Sequence, residues 1–351
     1  MITKKTARFA RLGRPAGLLV LLVPALLLSG CTGSSATPST TPTTGAWTSN
    51  HTAPATAEIA PLTGLSVPAG SSARPSLAVK IDNHSAARPQ VAIDRTDLVF
   101  EELVEGGITR YVALWQSDIP DQVGPVRSIR PMDPDIIAPF GGLVAFSGGQ
   151  QRFVDAMDAT GQISAIFDYD ATGLFSRSTA TAAPHNVILA ATEFANRNAT
   201  VAPPAQQYAY AATLDGASAV VDGTPISVIN TRFSDSSARS WTWSADAGAY
   251  LRAQDGAPDL SVDGAQLKAT NVVVLRVDVT VNQSIPKTEL IASGEASIST
   301  GGKTLTATWS KDSQTAPIRL IDGNGVTIRL APGNTWFQLV PNGTGSADLV
   351  P

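Results

Sequence analysis

The sequence predicts an α+β protein: an N-terminal α/β layered domain with a mixed sheet, followed by a mainly antiparallel β-rich C-terminal domain. Three observations predict it. Before Val201-Ala202-Pro203-Pro204-Ala205, strand-like and helix-like hydrophobic patterns alternate. Beyond that break nearly every apolar run is short and bounded by turn residues, the pattern of an antiparallel sheet or sandwich. About 290 residues follow the leader and tether described below, more than most single cores sustain, so two domains are expected. The expected division is residues 1–30 as leader, 31–57 as tether, 58–202 as N-terminal domain and 206–351 as C-terminal domain.

In the N-terminal part, Leu77-Ala78-Val79-Lys80-Ile81 alternates with the period of a half-buried strand. Residues 97–105 and 108–117 flank Gly106-Gly107, and a Gly-Gly connection between apolar runs reads as a hairpin; a turn or two of helix over 98–104 is the alternative. Asp133 followed by Pro134 suits an N-cap and first helical position, for a short helix to about Pro139. Residues 143–146 form a buried strand ending at Gly148-Gly149. A helix over 151–160 carries Phe153, Val154 and Met157 at helical spacing with Gly161 as its stop, and 192–198 is a second helix.

In the C-terminal part, Ser240-Trp241-Thr242-Trp243-Ser244 and Ala249-Tyr250-Leu251-Arg252 alternate around Ala245-Asp246-Ala247-Gly248, a hairpin. Strands over 271–281, 296–299, 305–309, 318–321, 326–330 and 335–340 continue the series. Asp322-Gly323-Asn324-Gly325 is the clearest turn, because glycine adopts positive φ without steric cost.

The chain's only cysteine, Cys31, follows Leu28-Ser29-Gly30 at the end of an apolar run. Lys4, Lys5, Arg8, Arg11 and Arg14, with no acidic residue, precede the 13-residue apolar stretch 16–28, the charge order and length of an export signal. A spanning helix needs about 20 apolar residues. The tetrad resembles a bacterial lipobox, which implies a diacylglyceryl group on Cys31 and cleavage before it; two or more acyl chains make a stable anchor. Residues 32–57, rich in Thr, Ser, Pro, Ala and Gly and free of charge, cannot bury enough apolar surface to offset ordering entropy and read as a disordered tether with a reach of roughly 30 Å. His51 and Trp47 in it are read as incidental. Without the leader, 20 basic residues face 29 acidic ones, a net charge of −9. That excludes a nucleic-acid footprint and leaves the acyl anchor as the membrane contact of a protein facing the extracytoplasmic side. With Cys31 acylated, thiol chemistry and thiolate metal sites are excluded too.

No P-loop, dinucleotide fingerprint, zincin helix or calcium loop is present, so neither cofactor nor metal is expected. Ser147 lies in Gly142-Leu143-Val144-Ala145-Phe146-Ser147-Gly148-Gly149, where Ala145 breaks the nucleophile-elbow pattern. Three constellations remain. Lys80-Ile81-Asp82-Asn83-His84 delivers a carboxylate, an amide and an imidazole to one strand end, or else forms an Asx turn with a surface histidine. Gly124-Pro125-Val126-Arg127-Ser128-Ile129-Arg130-Pro131, with Arg110, offers guanidiniums that match a carboxylate or phosphate bidentately, unless Glu101, Glu102 or Glu105 pair with them. Ala183-Pro184-His185-Asn186 supplies a histidine able to act as general acid or base, or to anchor its loop to backbone carbonyls.

These segments, with Pro61-Leu62-Thr63-Gly64-Leu65, Ala87-Arg88-Pro89-Gln90, Glu101-Glu102-Leu103-Val104-Glu105-Gly106-Gly107-Ile108-Thr109-Arg110, Asn271-Val272-Val273-Val274, Thr308-Trp309-Ser310-Lys311 and Pro332-Gly333-Asn334-Thr335-Trp336, resemble the YerB-like lipoprotein family, domain of unknown function 3048, over residues 61–341. The resemblance implies an exported lipoprotein with an N-terminal α/β domain and a C-terminal β-rich domain. It implies no activity and transfers no catalytic residue. Two function classes stay open. One is a module that binds an envelope component or protein partner, with Arg110, Arg127, Ser128, Arg130, Asn83, Glu102 and Asn186 as candidate ligand contacts. The other is an envelope hydrolase using His185, His84, Asp82 and a glutamate. Convergence of His185 with Asp82 or His84 in a pocket beside Arg127 and Arg130 favours the enzyme; scattering favours binding.

Overall fold

The alternation of apolar residues along the central strands sends side chains to two opposite cores, and a layer of structure covers each. The computed structural model describes residues 56–351. The leader, Cys31 and the tether to residue 55 lie outside the described residues, and a short strand, Ala57–Ile59, pairs with Ser66–Pro68. The main strands of the N-terminal half are β1 (Leu77–Asp82), β2 (Leu98–Leu103) and β3 (Thr109–Trp115). After helix α1 (Asp133–Ile137) come β4 (Leu143–Phe146), helix α2 (Gln151–Asp158) and β5 (Ile163–Ile166), then β6 (Val187–Ala190) and helix α3 (Ala191–Arg197). Beyond Pro204 the main elements are β7 (Val228–Ser234), β8 (Ser237–Ser244), β9 (Ala249–Gln254), β10 (Asn271–Asn282), β11 (Ser293–Thr300), β12 (Lys303–Ser310), β13 (Thr335–Pro341) and β14 (Ser346–Val350).

One mixed sheet runs β12-β11-β10-β13-β2-β3-β1-β4-β5, with short strands extending it at the β12 end. Its centre joins the two sequence halves: β13 is parallel to β2, with Thr335 opposite Leu98, and parallel to β10, with Thr335 opposite Asn271. One face carries Ala78, Phe100, Val112, Val144 and Phe337 under Ile136 of α1 and Met157 of α2. The other carries Val79, Val99, Tyr111 and Trp336 under Leu189 and Phe194, and under Phe233, Trp241 and Tyr250 of a second, antiparallel sheet ordered β9-β8-β7-β14. Each fully buried phenylalanine in such a core contributes about 1.5–3 kcal/mol.

The hairpin at Gly106-Gly107 forms as expected, both glycines at positive φ, with β2 and β3 antiparallel; the helical alternative for 98–104 does not occur. Strand β1 is buried on both faces rather than half-buried, because structure packs on either side. The first short helix begins with Asp133 and Pro134 inside it and Met132 at the N-cap, a shift of one residue; the Asp133 carboxylate instead accepts the Arg130 N–H at 2.6 Å. The strand expected over 326–330 contracts to Arg329–Leu330, since Asp322 Oδ1 accepts the Val326 N–H and draws it into the turn. Among the described residues no helix is long and apolar enough to cross a membrane.

Candidate functional site

Strand pairing lines up three charged residues at the carboxyl end of β1 and β2. Arg110 is opposite Asp82 on one side and Glu102 on the other, so alternation puts all three, with Lys80, on the face that is apolar further down each strand. The carboxyl ends of parallel strands, where loops diverge, are where ligands are usually met.

The segment after Gly124 completes the edge. Asp82 N–H donates to Pro125 O at 2.9 Å, Arg127 N–H to Lys80 O at 2.8 Å, and Ser147 N–H to Arg127 O at 2.9 Å, which wedges residues 125–129 between β1 and the end of β4. Gly124 permits this approach, because a Cβ there would meet Val187 O at 2.7 Å and Ile188 Cδ1 at 2.8 Å. Val126 sits opposite Ile81, so Arg127 falls on the face of Lys80 and Asp82.

His185 arrives on the loop before β6. Asn186 holds that loop by donating to Ser178 O at 3.0 Å and Thr181 O at 3.2 Å, while its own oxygen accepts from Arg177 at 2.7 Å. His185 Nδ1 then lies 2.7 Å from Asp82 Oδ2, and Arg127 Nε lies 3.3 Å from the same oxygen. The His84 ring stacks on His185 with centroids 4.5 Å apart and planes 17° apart. The Asx turn also forms: Asp82 Oδ1 accepts the His84 N–H at 3.0 Å, and His84 Nδ1 accepts the Ala86 N–H at 3.1 Å. The two histidines, Asp82 and Arg127 thus meet, and the expected backbone anchoring of the His185 ring is replaced by the carboxylate.

The three arginines differ in their surroundings. Arg130 donates to Glu105 at 2.7 Å and to Ile129 O at 2.9 Å. Arg110 is 6% exposed and gives one hydrogen bond, Nη1 to Ser128 O at 2.8 Å. Its Nε is buried without a partner, and among the described residues no carboxylate comes within salt-bridge distance of it. Burial first, then the Arg130 and Arg127 charges, lower its pKa to about 10. Ser128, whose carbonyl accepts the Arg110 bond, has its hydroxyl 3.2 Å from that of Ser147.

The remaining candidates are used internally. Asn83 is buried and donates to Thr109 Oγ1 at 2.8 Å while accepting from Gln90 at 3.2 Å. Glu102 is buried against Lys80, whose ammonium also contacts Asp133 at 2.7 Å. Glu101 points to the opposite face, where Arg239 and Arg252 meet it at 2.6 and 2.9 Å. Of the three glutamates that stood as alternative internal partners for the arginines, only Glu105 takes that place, against Arg130. Asp133 belongs to this cluster as well; its place before Pro134 reads as an N-cap in the sequence, a position that Met132 takes instead.

Residues 62–203 match the family described as protein of unknown function (DUF3048) N-terminal domain, and residues 229–337 match the DUF3048 C-terminal domain. The Bacillus subtilis (strain 168) protein named "Putative lipoprotein YerB" is 42% identical over 71 residues, which are 20% of this chain and only 22% of that protein's length. The crystal structure of YerB protein from Bacillus subtilis aligns with a TM-score of 0.71 at 23% identity, covering 83% of this chain and 99% of that one. That likeness establishes a shared α+β fold.

Proposed function

The chain belongs to the DUF3048 family, and from that premise we propose that it is a lipid-anchored extracytoplasmic binding module that takes an oxyanion of an envelope component at Arg110, Arg127 and Arg130. One observation carries the reading: Arg110 is a buried cation with an orphaned Nε and, among the described residues, no carboxylate within salt-bridge distance. A buried charge without a partner costs several kcal/mol, and a bound oxyanion removes that cost with charge-assisted, bidentate geometry. The other two guanidiniums, one shared with Asp82 and one with Glu105, add N–H donors beside it in a mature chain that is otherwise acidic.

Calorimetric titration with inorganic phosphate tests it. Arg110→Gln and the half-exposed Arg127→Gln are each expected to weaken binding about 10- to 100-fold, the worth of one or two charged hydrogen bonds. Affinity equal to wild type in both disposes of the cluster as the site. The anchor has its own test. Cys31→Ala is expected to shift the protein out of the membrane fraction, and native material with an unmodified sulfur on mass spectrometry overturns the lipid.

The 2.7 Å contact between His185 and Asp82, with His84 stacked on the ring and Arg127 beside it, is the convergence that favours a second reading, a hydrolase in which the carboxylate orients an imidazole base. It stands second because among the described residues no hydroxyl nucleophile is hydrogen-bonded to either ring. Turnover of a chromogenic phosphoester that persists unchanged in His185→Gln removes that histidine from any mechanism.

A further inference from the structure

We propose that the two imidazoles beside the arginine cluster read a hydroxyl next to the bound anion, so that the ligand is a hydroxyalkyl phosphate rather than bare phosphate. This rests on the oxyanion reading above and narrows it. The argument is one of donors and acceptors. His185 Nδ1 faces a carboxylate that also faces Arg127, so in the neutral ring that nitrogen carries the proton and Nε2 is left as an acceptor. His84 Nδ1 accepts a backbone N–H, which assigns its proton to Nε2 as a donor. The stacked pair therefore presents one acceptor and one donor. Among the described residues neither Nε2 has a hydrogen-bond partner. A hydroxyl is the group that satisfies both at once, since it gives one hydrogen bond and accepts others.

Proximity to the anion follows from Asp82, because Arg127 Nε and His185 Nδ1 both approach its Oδ2. Because Nε2 points away from Asp82, a hydroxyl at the imidazoles and an anion at Arg127 are set apart by the breadth of the ring and the carboxylate, which calls for an alkyl spacer between them. Phosphate is favoured over carboxylate because Arg110, Arg127 and Arg130, drawn from two separate segments, offer more N–H donors than one planar carboxylate engages, even with Arg127 shared with Asp82 and Arg130 with Glu105. The Ser128 and Ser147 hydroxyls share one hydrogen bond, which leaves one proton of the pair to donate to a tetrahedral oxyanion.

The test compares methyl phosphate with glycerol 3-phosphate by calorimetry on the full-length protein in detergent. Glycerol 3-phosphate is expected to bind about 10-fold tighter, the worth of a hydrogen bond or two, and His185→Phe is expected to bring the ratio to about one. Nitrogen NMR of labelled imidazoles in the wild type gives a second readout. The His185 Nε2 resonance is expected to be that of an unprotonated nitrogen, and to move with glycerol 3-phosphate but not with methyl phosphate. Equal affinity of the two esters for wild type, or a protonated Nε2 in the neutral ring, overturns the inference while leaving the oxyanion site standing. Failure of both esters to bind overturns the site as well. Phosphatidylglycerol vesicles, run against phosphatidylcholine, distinguish a lipid headgroup from a soluble ester as the source of the same chemistry.

Discussion

Glu101→Ala is expected to lower the free energy of unfolding by about 3–5 kcal/mol, because it strips the shared counter-ion from two buried guanidiniums. Glu101 on β2 is fully buried; Arg239 Nε of β8 and Arg252 Nη2 of β9 hold its two oxygens, and Thr109 donates to one of them at 2.8 Å. Arg252 also pairs with Asp259 and lies over the Trp336 ring at 5.0 Å. This network clamps the antiparallel sheet onto the face of the mixed sheet at the point where β13 joins β2. Burial pushes the Glu101 carboxyl up, but Arg239 and Arg252 together outweigh it and hold its pKa at about 2 against an ordinary 4.5. The folded value is depressed, so the stabilisation is complete above about pH 4.5 and is lost as the pH falls toward 2. It is worth on the order of 3 kcal/mol by the shift. Urea unfolding at pH 7 and pH 3 checks both statements. A variant as stable as wild type at pH 7, or a deficit undiminished at pH 3, contradicts them.

That network also marks the limit of what the sequence discloses. Gly106-Gly107 and Ala245–Gly248 are local signals, and both hairpins they announce form with adjacent strands paired. The arginine loop and the His-Asp pair were recognisable as polar segments at strand ends. Their convergence was not, because Asp82 and His185 are 103 residues apart and no pattern encodes that contact. Glu101 and Glu102 look equivalent in sequence. The strand period sends one toward Arg239 and Arg252, 138 and 151 residues downstream, and the other toward Lys80. The parallel joint of β13 with β2 was equally illegible, since each strand alone reads as an apolar run that either half could bury. Strands β7 and β14 went unread because exposed polar residues alternate through β7 and β14 is short and almost wholly exposed.

Lys80→Met is expected to cost about 3–5 kcal/mol at pH 8 by leaving Glu102 and Asp133 buried without their cation. In the wild type, burial first and then the Asp133 carboxylate push the Glu102 pKa up to about 8, with Lys80 pulling it back. A carboxyl whose folded pKa is raised contributes stability that is complete below about pH 4.5 and is lost as the pH climbs through 8. Loss of Lys80 raises that pKa further, so the deficit of the variant should be larger at pH 8 than at pH 5. Glu102→Gln, which keeps the shape and cannot ionise, should flatten the decline between those pH values. Denaturation midpoints across pH 5–8 decide it, and an unchanged slope in Glu102→Gln refutes the assignment. The consequence reaches the site above. Glu102 is the register partner of Arg110, yet its carboxyl is turned to Lys80. It therefore leaves the Arg110 charge uncompensated, and the oxyanion affinity of Glu102→Gln should match that of the wild type.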